Sequence, residues 1–350
     1  MTTYIGSGLT AQVGFATEST PGTPTTVTRF FPFTSESLKL KRKIVQGSAI
    51  RSGAQVDHSG HRVLTTLDVN GDIQMDFPTK GAGLLLQHML GSFTATAAQQ
   101  GATIAYRQVH TLGQTTGKTM TIQKAVPRTD GAAPEPFTYP GAKVAGWELD
   151  CAQGDIVKLK LTIDAWNELT AATTPAGPAL ASAAYTTGTT VFNFTQGALL
   201  SGGTLSQTSG VWSVAGGTAV ASVTSVNVKA TIPLKQDRDF LGSQTKGEQI
   251  QNGFTQLGGQ MDVEFANRSL YDQYRVDGAT ALQLNFTGPM IATPYPSTLQ
   301  LLLPISYLED GTSPAVGGPD IVSVQVPFTG LTDDTMPPLQ VIYQSTDTAV

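Results

Sequence analysis

The chain has 350 residues, of which 40% are hydrophobic and only 13% are charged, and its formal net charge is −5. This length suggests two domains, and the negative charge argues against a broad basic surface that binds nucleic acid through phosphates. The single cysteine, Cys151, excludes an intrachain disulfide framework and a multi-cysteine zinc site. No apolar run approaches roughly 18 residues, so we expect no membrane helix, and residues 1–14 lack a basic start followed by an apolar stretch, so we expect no secretory signal.

The first 29 residues are predicted to form an N-terminal arm, because residues 17–24 contain two prolines and show no helical or strand period. Beyond this arm, most of the pattern alternates between apolar and polar residues. The clearest segments are 68–77, 158–163 and 260–265. Each predicts a β-strand with one face against a core and one polar face.

Only two short helices are predicted, over residues 80–91 and 269–278, and each follows an alternating strand that ends in phenylalanine. This coincidence indicates an internal duplication. Residues 37–41 (SLKLK) align with SVNVK at an offset of 188, and residues 71–77 align with a second strand at the same offset. Residues 155–157 (DIV) recur at an offset of 165, and the earlier segment FPFT resembles FNFT at an offset of 161.

The predicted fold class is therefore mainly β, with two tandem copies that each carry a short helix. The offsets 161 and 188 differ by 27 residues, which predicts an inserted loop or hairpin near the start of the second copy. The predicted layout is an arm (1–29), domain 1 (30–167), a linker (168–190), domain 2 (191–332, with the insert at about 199–223) and a polar C-terminal tail (333–350).

No motif in the sequence predicts catalysis or a cofactor. Residues 113–119 resemble a phosphate-binding loop, but the motif is one residue short and a strand-like segment follows it. Residues 237–248 partly match a calcium loop, yet Leu241 stands where a ligand is needed. His58 and His61 are three residues apart without a third ligand nearby. We expect no enzyme, no metal site and no cofactor.

The order of elements resembles the major tail tube proteins of long-tailed bacteriophages (siphophages). The resemblance covers about residues 15–332 and rests on the arm GFATESTPGTP, the strand SLKLK, the long loop after it, the strand VNGDIQMDF, the helix LLLQHML and the segment PGAKVAGWELDCAQGDIVKLKLTIDA. It implies two tandem tail-tube-type β-sandwich or barrel domains, each with a short flanking helix. It further implies a structural virion protein, assembled in the host cytoplasm, whose rings stack into a hollow tube that delivers the genome.

Rings of this family commonly contain six single-domain subunits. Two tube domains in one chain therefore imply a homotrimeric, pseudo-hexameric ring; if only one copy is a tube domain, the ring is a homohexamer. The resemblance also implies a tape-measure protein, a tail terminator and distal tail proteins as partners. DNA is expected to pass through the lumen without specific binding, and no membrane anchor is expected.

Two groups of residues are candidates for this function. Acidic side chains on the polar strand faces would line the lumen and repel phosphates; they are Asp68, Asp72, Asp76, Asp262 and Glu264. The long polar loops 50–62 and 237–253 would order when rings stack; their candidate residues are Gln55, Asp57, His58, His61, Asp237, Asp239, Lys246 and Glu248.

Two other interpretations remain open at this point. One is a different phage structural module, such as a tail fibre, baseplate or capsid-decoration protein. The other is a secreted β-sandwich that binds carbohydrate, which would need clustered aromatic side chains. The three tryptophans, Trp147, Trp166 and Trp212, are scattered along the sequence.

Overall fold

The computed structural model describes residues 6–350, which form a mainly β structure with two α-helices, Gly83–Leu90 (α1) and Ser269–Arg275 (α2). The strands of the first half are Gln12–Thr17 (β1), Arg29–Phe30 (β2), Ser35–Glu36 (β3), Lys39–Gln46 (β4), Arg62–Asp76 (β5), Ala97–Gln99 (β6), Tyr106–Thr111 (β7), Met120–Val126 (β8), Glu135–Ala152 (β9) and Lys158–Ala165 (β10). Those of the second half are Gly197–Ser201 (β11), Thr204–Thr208 (β12), Val211–Ala215 (β13), Thr218–Ala219 (β14), Val223–Thr231 (β15), Leu234–Lys235 (β16), Ile250–Gln251 (β17), Gln256–Glu264 (β18), Thr280–Ala292 (β19), Tyr295–Leu308 (β20), Ser323–Leu331 (β21) and Gln340–Ser345 (β22).

The two halves pair their strands in the same order. The first half runs β4–β5–β10–β9–β8–β1 and the second runs β15–β18–β21–β20–β19–β11, with every pair antiparallel. The registers correspond as well, because Lys158 lies opposite Asp76 and Ser323 lies opposite Glu264, as the offsets 165 and 188 predict. A register shift interrupts the ladder at the same place in both halves, where β8 meets β9 and where β19 meets β20.

The pairing of β9 with β15 joins the polar-faced sheets of the two halves. The C-terminal part of β9 pairs with β10 on one edge and with β15 on the other, and Cys151 lies opposite Val226 in this joint. The shared sheet therefore has the order β4–β5–β10–β9–β15–β18–β21–β20. Its apolar side chains belong to one continuous core that includes residues of both halves.

Helix α1 closes this core because its leucines and Met89 are buried on all sides. It ends at Gly91, whose φ of 70° is the left-handed conformation that glycine adopts most easily. A Cβ atom at this position would lie 2.3 Å from the carbonyl oxygen of Gly113, so only glycine fits. Helix α2 has no fully buried residue and lies at the surface.

The predicted N-terminal arm is partly wrong. Residues 12–17 form β1, which pairs with β8, and both Val13 and Phe15 are buried. The strand is short and contains a glycine, so its alternation is weak in the sequence. Its place in the sheet is determined by a partner more than a hundred residues away.

The predicted polar tail is also wrong at its centre. Strand β22 lies between β20 and β7, and all six of its residues are buried. Tyr343 packs edge-on against Phe77, and its hydroxyl donates a hydrogen bond to the carbonyl oxygen of Pro78 at 3.1 Å. The C-terminal strand therefore connects the two halves.

The predicted insert is present as a hairpin of β12 and β13, but the second copy is not 27 residues longer. Strand pairing matches Phe15 with Ser201 and Ser35 with Ser225, so 20 residues of the first copy correspond to 24 of the second. The match at offset 161 aligned a segment after β1 with one before β11, so it joined positions that do not correspond. The linker, residues 168–190, forms no continuous strand and contacts the sheet through isolated bridges at Leu169 and Tyr185 and through hydrogen bonds of Ala181 with Gln12 and Gln123.

Candidate functional site

The five predicted acids lie on one face of the shared sheet. Residues directly opposite each other in a ladder share a face. Asp76 lies opposite Lys158, Lys158 opposite Asp150, and Asp150 opposite Asn227, so this face continues from β5 across the joint to β15. Asp262 lies opposite Ser225 and accepts a hydrogen bond from its hydroxyl at 2.6 Å, which extends the face to β18.

Sequence reasoning missed the lysines on the same face, so the expected acidic surface is instead mixed in charge. Lys160 lies 3.2 Å from Asp72, and Lys41 lies opposite Asp68. The lysines that cross-strand pairing places on this face are Lys39, Lys41, Lys43, Lys158, Lys160 and Lys229, and Glu148 and Asp150 add to the predicted acids. The alternation of SLKLK was visible in the sequence, but only the pairing shows which face its lysines take.

Two hairpin arms extend from this sheet at corresponding positions. The first arm tip, residues 47–61, follows the ladder that Gln46 and Arg62 close. The second arm tip, residues 236–249, follows the ladder that Lys235 and Ile250 close. The offsets between these closing pairs are 189 and 188, so the two tips are counterparts in the repeat.

The second arm tip folds back onto the polar face of the first half. Its Lys246 ammonium lies 2.5 Å from Asp68 on β5 and 2.6 Å from Asp164 on β10, and its side chain is 2% exposed. The amide of Leu67 donates a hydrogen bond to the carbonyl oxygen of Gln244 at 2.8 Å. Burial raises the pKa of Asp164, and the neighbouring Lys246 ammonium opposes that shift.

A second group of contacts completes this docking. The Lys143 ammonium lies 2.6 Å from Glu248, and the Trp166 indole N–H donates to the Gln249 side-chain oxygen at 2.7 Å. Burial lowers the pKa of Lys143, although the Glu248 carboxylate opposes this shift. Burial alone would raise the pKa of Glu248, but hydrogen bonds from Lys143 and from the amide of Gly117 bring it below its usual value.

These contacts correct part of the predicted stacking surface. Lys246 and Glu248 are held in ion pairs within the chain, and Asp68 is one of the partners. The remaining candidates of both tips are exposed; they are Gln55, Asp57, His58, His61, Asp237 and Asp239. Reading the sequence could not pair Lys246 with Asp164, because the two are 82 residues apart.

The first arm tip has no comparable docking site among the residues that the structure describes. Its apolar side chains Ile50 and Val56 are 101% and 84% exposed. His58 accepts a hydrogen bond from the amide of Gly60 at 3.2 Å, and its ring centroid lies 5.3 Å from that of His61. Within residues 6–350, no group of three side chains is placed to hold a metal ion.

The other weak motifs have structural roles. Residues 113–119 lead into strand β8 and not into a helix. Cys151 is buried in β9, where burial raises the pKa of its thiol to about 11. Among the described residues, no helix has the length and hydropathy needed to span a bilayer.

Comparison with known families decides the identity of the chain. A family model described as phage tail tube protein matches residues 8–330, which is nearly the whole sequence. The chain belongs to the phage tail tube protein family. No curated protein matches it. Membership makes the chain a structural component of the virion, and a tube built from many copies requires the chain to assemble with itself.

Proposed function

We propose that this chain forms homotrimeric, pseudo-hexameric rings of a siphophage tail tube, with two tube domains in each chain. The observation that carries the proposal is the joint between β9 and β15, where one half pairs its sheet with the other. Each half also has the same strand order and corresponding registers. The joint inside the chain is therefore a template for the joint between chains.

The template identifies the edges that meet in the next joint. In the repeat, β15 corresponds to β4, and β4 pairs only with β5 within residues 6–350. Val144 of β9 lies opposite Ile163 of β10. Its counterpart is Leu308 of β20, which lies opposite Phe328 of β21. Strand β20 therefore corresponds to β9 at an offset of 164. The part of β9 that pairs with β15 then corresponds to residues 310–316, a largely exposed loop in the single chain.

We infer that residues 310–316 order as a strand against β4 of the next copy. An unpaired edge strand is a ready template for another chain, and head-to-tail contacts close into a ring when the rotation permits. Three chains with two tube domains each fill six positions. The same rings would stack into a tube, with exposed polar residues of the arm tips, such as Asp57 and Asp237, available for contacts between rings.

The polar face of the shared sheet is proposed to line the lumen. Because lysines and acids are interleaved on it, a phosphate backbone meets attraction and repulsion at short intervals. Such a surface supports passage of DNA without a tight binding site. A tape-measure protein in the lumen and terminator and distal tail proteins at the ends complete the proposed genome conduit, which would assemble in the host cytoplasm.

A proline on the free edge of β4 tests this joint. The amide of Ser37 donates to Asp72, and because hydrogen-bonded pairs alternate along the ladder, the Arg42 amide points away from β5. Arg42→Pro removes that donor and leaves the β5 ladder intact. We expect Arg42→Pro to fold as a monomer, whereas Arg42→Ala still forms rings.

Native mass spectrometry and electron microscopy give the readout. The proposal requires rings of three chains with six-fold appearance for the unaltered protein. Rings of six chains would overturn the trimer, and normal rings of Arg42→Pro would overturn the proposed joint.

A further inference from the structure

The two arm tips are counterparts, but only one of them is docked in the single chain. The second tip covers a site on the first half made by Asp68, Asp164, Lys143 and Trp166. The first tip is exposed at Ile50 and Val56 and lies in no comparable site. The repeat therefore predicts where the first tip belongs.

The corresponding site lies on the polar face of the second half. Lys143 and Asp164 lie opposite each other in the first half. The offsets 164 and 165 map them onto Tyr307 and Thr329, which also lie opposite each other. By the same offsets, Leu331 replaces Trp166 and Gln256 replaces Asp68. Gln256 and Leu331 are exposed and Tyr307 and Thr329 are half-buried, so no arm tip covers this site within residues 6–350.

The chemistry of this uncovered site matches the first arm tip. The site has no charged residue at the positions of Lys143, Asp68 and Asp164. Beside it, Leu331 is 48% exposed and Phe254 is 96% exposed. The first tip likewise has His58 and Gly60 where the second has Lys246 and Glu248, and it presents apolar side chains instead.

We propose that the first arm tip docks on the second half of the neighbouring copy within the same ring, with Ile50 and Val56 packed near Phe254 and Leu331. This proposal rests on the proposed ring. Inside a chain, buried ion pairs hold the second arm tip on the first half. Between chains, apolar contacts hold the first arm tip on the second half. The partner of this surface is a second copy of the chain in the same ring and not a copy in the ring above.

The difference between the two sites also determines which halves meet. The charged site of the first half is already filled by the second tip of the same chain. An incoming first tip has no ammonium group to place between Asp68 and Asp164. The apolar site therefore favours contact between the second half of one chain and the first half of the next, which is the order a closed trimer needs.

Cross-linking tests the contact directly. Val56→Cys combined with Leu331→Cys, treated with a flexible bis-maleimide, should join neighbouring chains. Cys151 is buried and its thiol pKa is raised, so it should not compete. The expected product on a denaturing gel stops at three chains. The variant with Val56→Cys alone and the variant with Leu331→Cys alone are the controls, and each should give much less of this product.

Other outcomes separate this inference from the proposed function. A ladder of products well beyond three chains would show that the tip contacts another ring and would overturn the inference. Trimeric rings without any cross-link would also overturn it, while the ring itself would stand. If the unaltered protein forms no trimeric ring, the proposed function fails first, whatever the cross-linking result.

A second measurement does not depend on cross-linker reach. Ile50→Ser combined with Val56→Ser should raise the concentration at which rings dissociate at least about tenfold, because two apolar side chains lose a buried site. Val276→Ser is the matched control, because Val276 is 74% exposed and lies outside both arms. Equal dissociation of the arm variant and the control would overturn the inference.

Discussion

Replacing Lys246 by methionine should destabilise the folded chain through the carboxylate that it leaves behind. The ammonium lies 2.6 Å from Asp164, whose side chain is 1% exposed, and no solvent can take its place. Removing one partner of a buried ion pair costs roughly 3–5 kcal/mol. The second partner, Asp68, is 42% exposed and should contribute little to the loss.

The loss should depend on pH in a defined direction. Burial already raises the pKa of Asp164, and the Lys246 ammonium lowers it, so Lys246→Met raises that pKa further. A carboxyl group with a raised folded pKa binds a proton more tightly in the folded state than in the unfolded state. The free energy of unfolding of the variant should therefore fall as pH rises from the unfolded pKa, near 3.9, through the folded pKa. The destabilisation is largest above that window and shrinks in acid.

Urea denaturation followed by tryptophan fluorescence would measure the effect, in the Arg42→Pro background that we expect to keep the chain monomeric. Adding Asp164→Asn to Lys246→Met should recover most of the loss, because the uncompensated charge disappears. Lys235→Met is the control, since Lys235 pairs with Asp237 at the surface and should change stability by about 1 kcal/mol or less. If Lys246→Met behaves like this control and shows no pH dependence, the buried pair does not hold the second arm as argued.

Three further predictions concern buried groups. Burial lowers the pKa of His88 and of His110 to about 4, so these side chains bind protons more readily in the unfolded chain. The free energy of unfolding should therefore fall as pH drops from about 6.5 to 4, by up to about 3 kcal/mol for each histidine. His110→Gln should remove the part of this pH dependence that His110 contributes, as measured by urea titrations at several pH values. The Cys151 thiol should not react with an aromatic disulfide reagent at pH 8 until urea unfolds the chain, and fast reaction of the folded protein would contradict its burial. Tyr343→Ala should cost about 3–5 kcal/mol because the ring is fully buried against Phe77, and a loss under 1 kcal/mol in thermal or urea unfolding would contradict the role of β22.

The parts of the fold that were predictable have strong local patterns. The alternation around Ile73 identified β5, and the leucines before Gly91 identified α1 with its end. The offsets 188 and 165 also hold in the structure, because they map the pair Asp76 and Lys158 onto the pair Glu264 and Ser323.

The parts that were missed depend on partners far away in the sequence. Strand β22 is short, and its burial comes from β7 and β20, which the local pattern of Gln340–Ser345 does not contain. The lysines of the polar face were visible in the sequence, but their common face follows only from strand pairing. The docking of Lys246 likewise depends on a fold that brings two halves together.

The pairing of β9 with β15 inside one polypeptide has a consequence for the protein concentration at which a closed assembly can form. Each association of free molecules loses translational and rotational freedom worth roughly 4–15 kcal/mol at standard concentration. Because each chain already contains one β9–β15 pairing, half of the sheet pairings of the proposed ring exist before the chains associate. In the proposed ring, closing six positions requires three molecules to meet instead of six, so complete rings should persist at far lower protein concentrations than rings of unlinked halves would.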